Sequence, residues 1–376
     1  MYNSCLLRGV GVLGLAALTL APAGFAQKQL SPDTALYART VRIEHGHEPA
    51  RNGKIVATVT AFTGSTHVDV YGSKDEGASF SIIGTIQDAD FAGGLCCGTL
   101  FEMPKTVGSL HAGTLLWAGS VGQNVPHTAR RMQIKVYTST DGGRSWSFHS
   151  VITSPNTGGL WEPQFTLAED GALVLTYSDE TQQPTYSQLL THTRSYDGAT
   201  WQDAGPLVAS AIPADRPGMA VVNRLRDGEF LMTFELCGPA ACTVFYKTSG
   251  DGWNYGSVTD VGMAIRTPSG QFFEHAPTNT VLPDGTILLV GQVLMNADGT
   301  TAVGNGATLF RNASGAPTGG WLPIAAPVPV PGAFNNYCPN YSSPLLSLDN
   351  GARVLEFADR IEGNACIMDY GTGPTY

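Results

Sequence analysis

Three stretches of this chain are variants of one loop: Ser73-Lys74-Asp75-Glu76-Gly77-Ala78-Ser79-Phe80, Ser139-Thr140-Asp141-Gly142-Gly143-Arg144-Ser145-Trp146 and the shorter Ser195-Tyr196-Asp197-Gly198-Ala199-Thr200-Trp201. A degenerate fourth copy reads Ser249-Gly250-Asp251-Gly252-Trp253. The copies recur at intervals of roughly fifty residues, which is typical of a repeat architecture. Each copy follows a run rich in β-forming residues, so the chain is predicted to repeat a β-sheet unit.

The loop has a simple mechanical interpretation. Ser and Asp side chains accept hydrogen bonds from nearby backbone amides, Gly supplies a positive φ, and the closing Trp or Phe packs inward. The pattern S-x-D-x-G-x-[ST]-[WF] resembles the Asp-box of sialidase-type β-propellers, whose loops lie on the outer rim. Asp75, Asp141 and Asp197 are therefore expected to be structural rather than catalytic.

Turn signals divide the rest of the chain into six units. A D-G or N-G turn precedes a strand-like run at Asn52, Asp170, Asp227, Asp284 and Asn350, and His111-Ala112-Gly113 replaces it in the remaining unit. No segment after the first 26 residues has a helical period. We predict an all-β, six-bladed propeller, in which residues 37–44 supply a missing strand of the last unit and close the ring.

The first residues indicate export. Arg8 precedes the apolar residues 10–20, and Gly24-Phe25-Ala26 fits a small-x-small cleavage site. Residues 1–26 are therefore predicted to be a signal peptide, with a retained membrane anchor as the alternative, and residues 27–376 a single propeller domain. The protein is expected to be secreted or periplasmic.

Charge and cysteine content narrow the function classes. With 21 Lys and Arg against 31 Asp and Glu, the net charge is −10, which disfavours nucleic acid and anionic membranes as partners.

Of seven cysteines, Cys5 leaves with the signal peptide. Cys237 is expected to pair with Cys242 and Cys338 with Cys366, while adjacent Cys96 and Cys97 form a vicinal disulfide, stay free or pair elsewhere. No metal or cofactor is predicted, and a monomer is the default.

Three residues are the best candidates for chemistry. Glu162 lies between Trp161 and a proline, where partial desolvation would raise the pKa of its carboxyl. Glu235 ends a strongly apolar strand, where a charge is costly unless it is paired or used. Tyr341 would act near these carboxylates as a nucleophile or by orienting one of them. The alternatives are a solvated loop carboxylate, a salt-bridged strand end and a core aromatic residue.

Several short motifs follow one another along the chain: Leu100-Phe101-Glu102-Met103-Pro104, Trp161-Glu162-Pro163, Thr176-Tyr177-Ser178-Asp179-Glu180, Arg216-Pro217-Gly218-Met219, Phe234-Glu235 and Cys338-Pro339-Asn340-Tyr341-Ser342. Their order resembles the exo-α-1,5-L-arabinanases of glycoside hydrolase family 93, which are six-bladed propellers related to sialidases. The resemblance implies a retaining hydrolase, with catalytic carboxylates roughly 5 Å apart. It implies that Glu162 and Glu235 are catalytic and that the site tyrosine is Tyr341 or Tyr337. By analogy with sialidases, Glu235 is expected to be the nucleophile and Glu162 the acid/base.

Further residues are expected to bind an oligo- or polysaccharide substrate: Arg42, Trp161, Arg216 and Tyr337. Arg42 has the place of an arginine that holds a carboxylate in sialidases, and a salt bridge is its alternative. Trp117, Trp161 and Trp321 are either sugar-stacking platforms or core residues. Glu102, Asp88 and Asp90 are weaker candidates for the site, and the two aspartates are expected to be turn residues.

Two rival functions remain from the sequence. An exo-α-sialidase needs three arginines around the substrate carboxylate; Arg42 and Arg311 fill two places, but no arginine lies between Glu235 and Arg266. A non-catalytic carbohydrate-binding propeller is the second rival, because fold does not imply function.

Overall fold

The computed structural model describes residues 27–376, so the predicted signal peptide lies outside the described residues. The described chain is built from β-strands, with four short 3₁₀ helices at Pro49–Arg51, Ala89–Gly93, His127–Ala129 and Asp349–Gly351. Within residues 27–376, no helix has the length and apolar character required to span a bilayer.

Six antiparallel sheets, here called blades 1 to 6, follow one another along the chain. Blade 1 contains Ala35–Arg42, Ile55–Ala61, His67–Ser73 and Ser81–Ile86; blade 2 contains Leu95–Glu102, Leu115–Val121, Gln133–Ser139 and Ser147–Thr153; blade 3 contains Leu160–Leu167, Leu173–Asp179, Leu189–Ser195 and Gln202–Val208. Blade 4 contains Arg216–Arg224, Phe230–Cys237, Thr243–Ser249 and Met263–Ala264, extended by Phe272–Glu274 and Val293–Met295; blade 5 contains Thr278–Val281, Ile287–Val290, Thr308–Asn312 and Trp321–Ala325; blade 6 contains Leu345–Leu348, Arg353–Glu362, Ala365–Pro374 and Lys28–Gln29.

The first strand of each blade contacts the first strands of both neighbouring blades, and the contacts run around a closed ring. These six strands are therefore the inner strands of a six-bladed propeller, which confirms the predicted fold. The apolar core lies between adjacent blades. Trp117 and Trp321 are each 1% exposed within it, so both are core residues and not sugar platforms.

The strand that closes the ring differs from the prediction. Lys28–Gln29 pairs with Tyr370 and Asp369 and forms the outer strand of blade 6. The strand Ala35–Arg42, which overlaps the predicted segment 37–44, is instead the inner strand of blade 1. The turn at Asn52 joins the first and second strands of a blade, so the strand before this turn already belongs to blade 1.

The repeated loops have the predicted geometry. Each joins the third strand of a blade to its outer strand. In blade 1, Ser73 Oγ donates to Asp75 Oδ1 at 2.8 Å, and the amides of Gly77 and Ser79 donate to Ser73 Oγ at 3.0 Å and Asp75 Oδ1 at 2.9 Å. Hydrogen bonds from Ser79 and Ser73 lower the pKa of Asp75 to about 2. This carboxylate therefore stabilises the turn.

The inner strands are irregular near their beginnings. In blades 1 to 4 the pairing register shifts within the first few residues of the inner strand. Each irregularity contains one residue with a positive φ: Tyr37 (59°), Cys97 (61°), Glu162 (56°) and Met219 (55°). Because a β-bulge redirects a side chain, this feature brings particular side chains to one end of the propeller axis.

Three disulfides are present in the described chain. Cys237–Cys242 and Cys338–Cys366 pair as predicted. Cys96 and Cys97 form a vicinal disulfide, which resolves the alternatives left open by the sequence.

Candidate active site

A cavity of about 670 Å³ opens at the end of the axis where the inner strands begin. Its volume lies in the range of small-molecule sites. Six of the sequence candidates line it together: Glu162, Glu235, Tyr341, Trp161, Arg216 and Tyr337.

Glu162 lies in the bulge of the blade 3 inner strand. Its Oε2 accepts hydrogen bonds from Ser178 Oγ at 2.6 Å and from the Met219 amide of blade 4 at 3.1 Å. Gly218 leaves room for the neighbouring Gln188 side chain, because a Cβ there would lie 2.6 Å from Gln188 Nε2. The carboxylate is thus held at the junction of blades 3 and 4.

Glu235 lies on the second strand of blade 4, paired with Gly218 across the ladder. Its Oε2 accepts a hydrogen bond from the Ala276 amide at 2.8 Å, and His275 Nδ1 is 4.0 Å away. Since the Met219 amide contacts Glu162 and the adjacent Gly218 faces Glu235, the two carboxyl groups lie next to each other in the cavity.

The two carboxyl groups differ in proton affinity. Burial raises the pKa of Glu235 to about 8, and the negative charge of Glu162 adds to the increase. Burial also raises the pKa of Glu162, but hydrogen bonds from Ser178 and the Met219 amide oppose this effect. Near neutral pH, Glu235 therefore holds the proton and Glu162 is the group that ionises more readily.

Three tyrosines surround this pair. The ring of Tyr341 lies 6.1 Å from that of Tyr37 and 6.0 Å from that of Tyr337, and its hydroxyl lies 3.4 Å from Met219 Sδ. Burial raises the pKa of Tyr341 well above its usual value, and the charge of Glu162 raises it further. Tyr341 therefore remains a neutral phenol. Tyr337 is 78% exposed and stands at the cavity mouth.

A charged network fixes Trp161 in the cavity wall. Glu180 Oε2 accepts from Trp161 Nε1 at 3.0 Å, and Glu180 Oε1 accepts from Arg216 Nη2 at 2.5 Å. Burial alone would raise the pKa of Glu180, but the hydrogen bonds from Arg216 and Trp161 hold it below the ordinary value. Gly159 leaves room for this arrangement, since a Cβ there would lie 1.9 Å from Trp161 Nε1.

Arg42 lies outside this cavity, which corrects its expected role in substrate binding. It is the last residue of the blade 1 inner strand, whereas Tyr37 lies near the beginning of that strand. Its two terminal nitrogens each donate to a carboxylate oxygen of Glu76 at 2.7 Å. It borders a second cavity, of about 320 Å³, that is lined by later parts of the inner strands.

The weaker acidic candidates have structural partners. Glu102 accepts hydrogen bonds from the amides of Glu44 and His45. Lys135 Nζ lies 2.9 Å from Asp88 and 2.5 Å from Asp90. Asp88 also accepts a hydrogen bond from the Asp90 amide at 2.9 Å, so both aspartates have structural contacts outside the cavity.

Several cavity residues were not predicted from the sequence. Glu180 belongs to a quoted motif but was not singled out, while Tyr37, Arg130 and Gln188 carry no local signal. Tyr37 would have been found by aligning the six inner strands, because it takes in blade 1 the place of Glu162 in blade 3. Among residues 27–376, the one group of possible metal ligands is Cys237, Cys242 and His275, and its two sulfurs are bonded to each other.

The sequence matches no protein-family model and no curated protein sequence. Solved structures do match. The α-L-arabinanase of Penicillium chrysogenum, solved with arabinobiose, has 25% identity and a TM-score of 0.74, covering 94% of this chain and 97% of its own. The α-L-arabinofuranosidase Arb93A of Fusarium graminearum has 22% identity and a TM-score of 0.74, covering 93% and 97%.

A more distant match is the NanB sialidase of Streptococcus pneumoniae, with 13% identity and a TM-score of 0.59, covering 92% of this chain and 70% of its own. The two arabinan-related structures thus match this fold better than the sialidase does, in agreement with the family that the sequence motifs resemble. The chain therefore has the sialidase-type six-bladed propeller fold of the family 93 glycoside hydrolases.

Proposed function

We propose that this protein is a secreted, retaining glycoside hydrolase that acts from the chain end on α-1,5-L-arabinan. One observation carries the proposal: two largely buried carboxyl groups, Glu162 and Glu235, line the same axial cavity, and burial raises the pKa of both. A retaining glycosidase needs this pair, because one group must protonate the leaving oxygen while the other attacks the anomeric carbon.

The hydrogen bonds favour a different division of roles from the one expected by analogy with sialidases. Glu162 accepts two hydrogen bonds that stabilise its anion, so it is the nucleophile in our proposal. Glu235 holds the proton and donates it to the departing glycosidic oxygen. In the second step, Glu235 removes a proton from water, which attacks the glycosyl–enzyme ester and releases Glu162. Tyr341 stays a neutral phenol near the two carboxyl groups, and its hydroxyl donates to Met219 Sδ at 3.4 Å.

The cavity suits a neutral sugar better than an acidic one. Arg130 and Arg216 are the arginines that line it among the described residues. Arg216 already contacts Glu180 and Gln188, the latter at 2.7 Å. The guanidinium of Arg130 lies 5.3 Å from the Trp161 ring centre. A clamp of three free arginines for a sialic acid carboxylate is thus missing from the described cavity, which favours arabinan over a sialoside.

The shape of the cavity supports chain-end action, and the disulfides support secretion. A compact cavity is better suited to the end of a glycan than to its middle. Three disulfides fit an oxidising compartment. The two structural relatives with TM-scores of 0.74 are an arabinanase and an arabinofuranosidase.

The test is to incubate the chain from Gln27 onward with linear α-1,5-arabinan and, separately, with a fluorogenic sialoside. We expect short arabinose products from the arabinan, released with the substrate's anomeric configuration, and no product from the sialoside. Glu162→Gln and Glu235→Gln serve as active-site controls. Free sialic acid would establish the sialidase alternative, while glycan binding without turnover in the unaltered protein would leave a propeller that only binds carbohydrate.

A further inference from the structure

The vicinal disulfide lies in the wall of the candidate active site. Both Cys96 and Cys97 line the cavity that holds Glu162 and Glu235. No role in the proposed chemistry requires a disulfide there, because neither proton transfer nor nucleophilic attack uses sulfur.

The fold directs this disulfide toward the propeller axis. Cys97 lies in the bulge of the blade 2 inner strand with a φ of 61°, as Glu162 lies in the bulge of blade 3 with a φ of 56°. Cys97 and Glu162 therefore occupy equivalent positions in neighbouring blades. The bulge that presents a carboxylate in blade 3 presents sulfur in blade 2.

The surroundings of the disulfide are apolar. Cys97 is 4% exposed and belongs to a cluster with Tyr37, Met219 and Ala276, against which Cys96, Trp161 and Tyr341 also pack. A disulfide has no hydrogen-bond donor, and its sulfurs are soft, polarisable, weak acceptors. Since the bond joins adjacent residues, neither side chain can rotate away. The disulfide is thus a rigid apolar patch in the blade 2 wall, beside the polar Gln123, Asn124 and Arg130 of the same blade. Blades 3 and 4 contribute the acidic and basic groups Glu162, Glu180, Arg216 and Glu235.

This division matches the two chemical faces of a sugar, whose ring presents C–H groups on its faces and hydroxyls at its edge. We propose that the Cys96–Cys97 disulfide is a sugar-binding surface, which contacts the C–H face of the neutral sugar unit held between Glu162 and Glu235. The inference rests on the proposed function and adds a residue pair that determines sugar orientation and affinity.

Two double variants separate a contact role from a structural one. Cys96→Ala/Cys97→Ala removes the bond but keeps the wall apolar, whereas Cys96→Ser/Cys97→Ser removes the bond and adds hydroxyls. If the surface binds sugar, KM for arabino-oligosaccharides rises about tenfold more in the serine variant than in the alanine variant, because the loss of an apolar contact in a pocket has this size. The value of kcat should change less than KM. Equal losses in both variants, or losses confined to kcat, would mean that the bond only holds the bulge.

A second measurement does not depend on the folding of these variants. A crystal structure of Glu235→Gln with arabinobiose should place ring carbons of one arabinose within about 4 Å of a cysteine Sγ. A sugar that turns its hydroxyl edge to the disulfide, or lies beyond contact, would overturn the proposal. Failure of the unaltered protein to cleave arabino-oligosaccharides would refute both proposals, whereas normal cleavage with equivalent variants would refute the sugar-binding surface alone.

Discussion

Glu235 in the axial cavity and Glu356 in the closing blade share a raised pKa and one hydrogen bond from a backbone amide, but they differ in access to solvent and in their neighbours. Burial raises the pKa of each to about 8. Glu235 lines a cavity beside a second carboxyl group. Glu356 is 0% exposed in the second strand of blade 6, where its Oε2 accepts a hydrogen bond from the Val328 amide at 2.8 Å and its Oε1 has no partner.

The comparison shows that a perturbed pKa is not by itself a mark of catalysis. Asp359 reinforces the point, because burial raises its pKa well above the ordinary value although it does not line the cavity. What distinguishes Glu235 is its position in a cavity that a substrate can enter, beside a second carboxyl group. Glu356 and Asp359 are expected to affect stability and not turnover.

The largest expected effect comes from removing the cavity carboxyls. We expect Glu162→Gln and Glu235→Gln each to lower kcat/KM for arabinan by about 10³-fold or more, because each removes a group that acts on the reacting bond. Glu356→Gln is the matched control and should change kcat/KM by less than about twofold. Initial rates on arabino-oligosaccharides measure all three. A large loss of kcat/KM in Glu356→Gln, with little loss in the two cavity variants, would mean that Glu356 and not the cavity pair is needed for turnover.

The pH dependence of kcat/KM should distinguish Glu235 from Glu162. Glu235 must be protonated to act as an acid, so kcat/KM should fall about tenfold per pH unit above a pKa of about 8. The acid limb should reflect protonation of Glu162, whose pKa lies above the ordinary glutamate value. In Glu235→Gln the basic limb should disappear from the residual activity. Its persistence there would mean that another group supplies the proton.

Glu356 should control the pH dependence of stability instead. Its folded pKa of about 8 lies above the ordinary value of 4.5, so the folded protein keeps a proton that the unfolded chain releases. Its contribution to the free energy of unfolding is therefore fully present below pH 4.5 and is lost as the pH rises toward 8. We expect Glu356→Gln to raise stability at pH 8 by roughly 4 kcal/mol and to have little effect at pH 4. Denaturant unfolding at both values is the measurement, and equal shifts at both would contradict this explanation.

The smallest expected effect is at Arg42. This residue tests whether an arginine outside the axial cavity takes part in substrate binding. Its ion pair with Glu76 is partly exposed, so Arg42→Met should lower the free energy of unfolding by about 0.5–1 kcal/mol. Its kcat/KM should stay within about twofold of the unaltered protein. Loss of substrate affinity in this variant would restore the predicted binding role, and Glu76→Gln provides the control for loss of the ion pair.

Much of the site was predictable where a local motif existed. Glu162, Glu235 and Tyr341 were identified from short motifs, and the structure places them in one cavity. The roles that we propose for the two glutamates differ from those expected from the sequence, because the proposal depends on which of them accepts more hydrogen bonds. The Met219 amide that stabilises Glu162 comes from a different blade, 57 residues along the chain.

The sequence by itself determined the repeat, the turns and the number of blades, because each depends on residues a few positions apart. The Ser–Asp loops and the D-G turns form their hydrogen bonds within such short stretches. Only the tertiary structure decided that Lys28–Gln29 closes the ring, that Tyr37 and Glu180 reach the cavity, and that Arg42 does not. Ring closure and the convergence of six inner strands bring together residues from distant parts of the chain, and burial at that point of convergence sets where the proton resides.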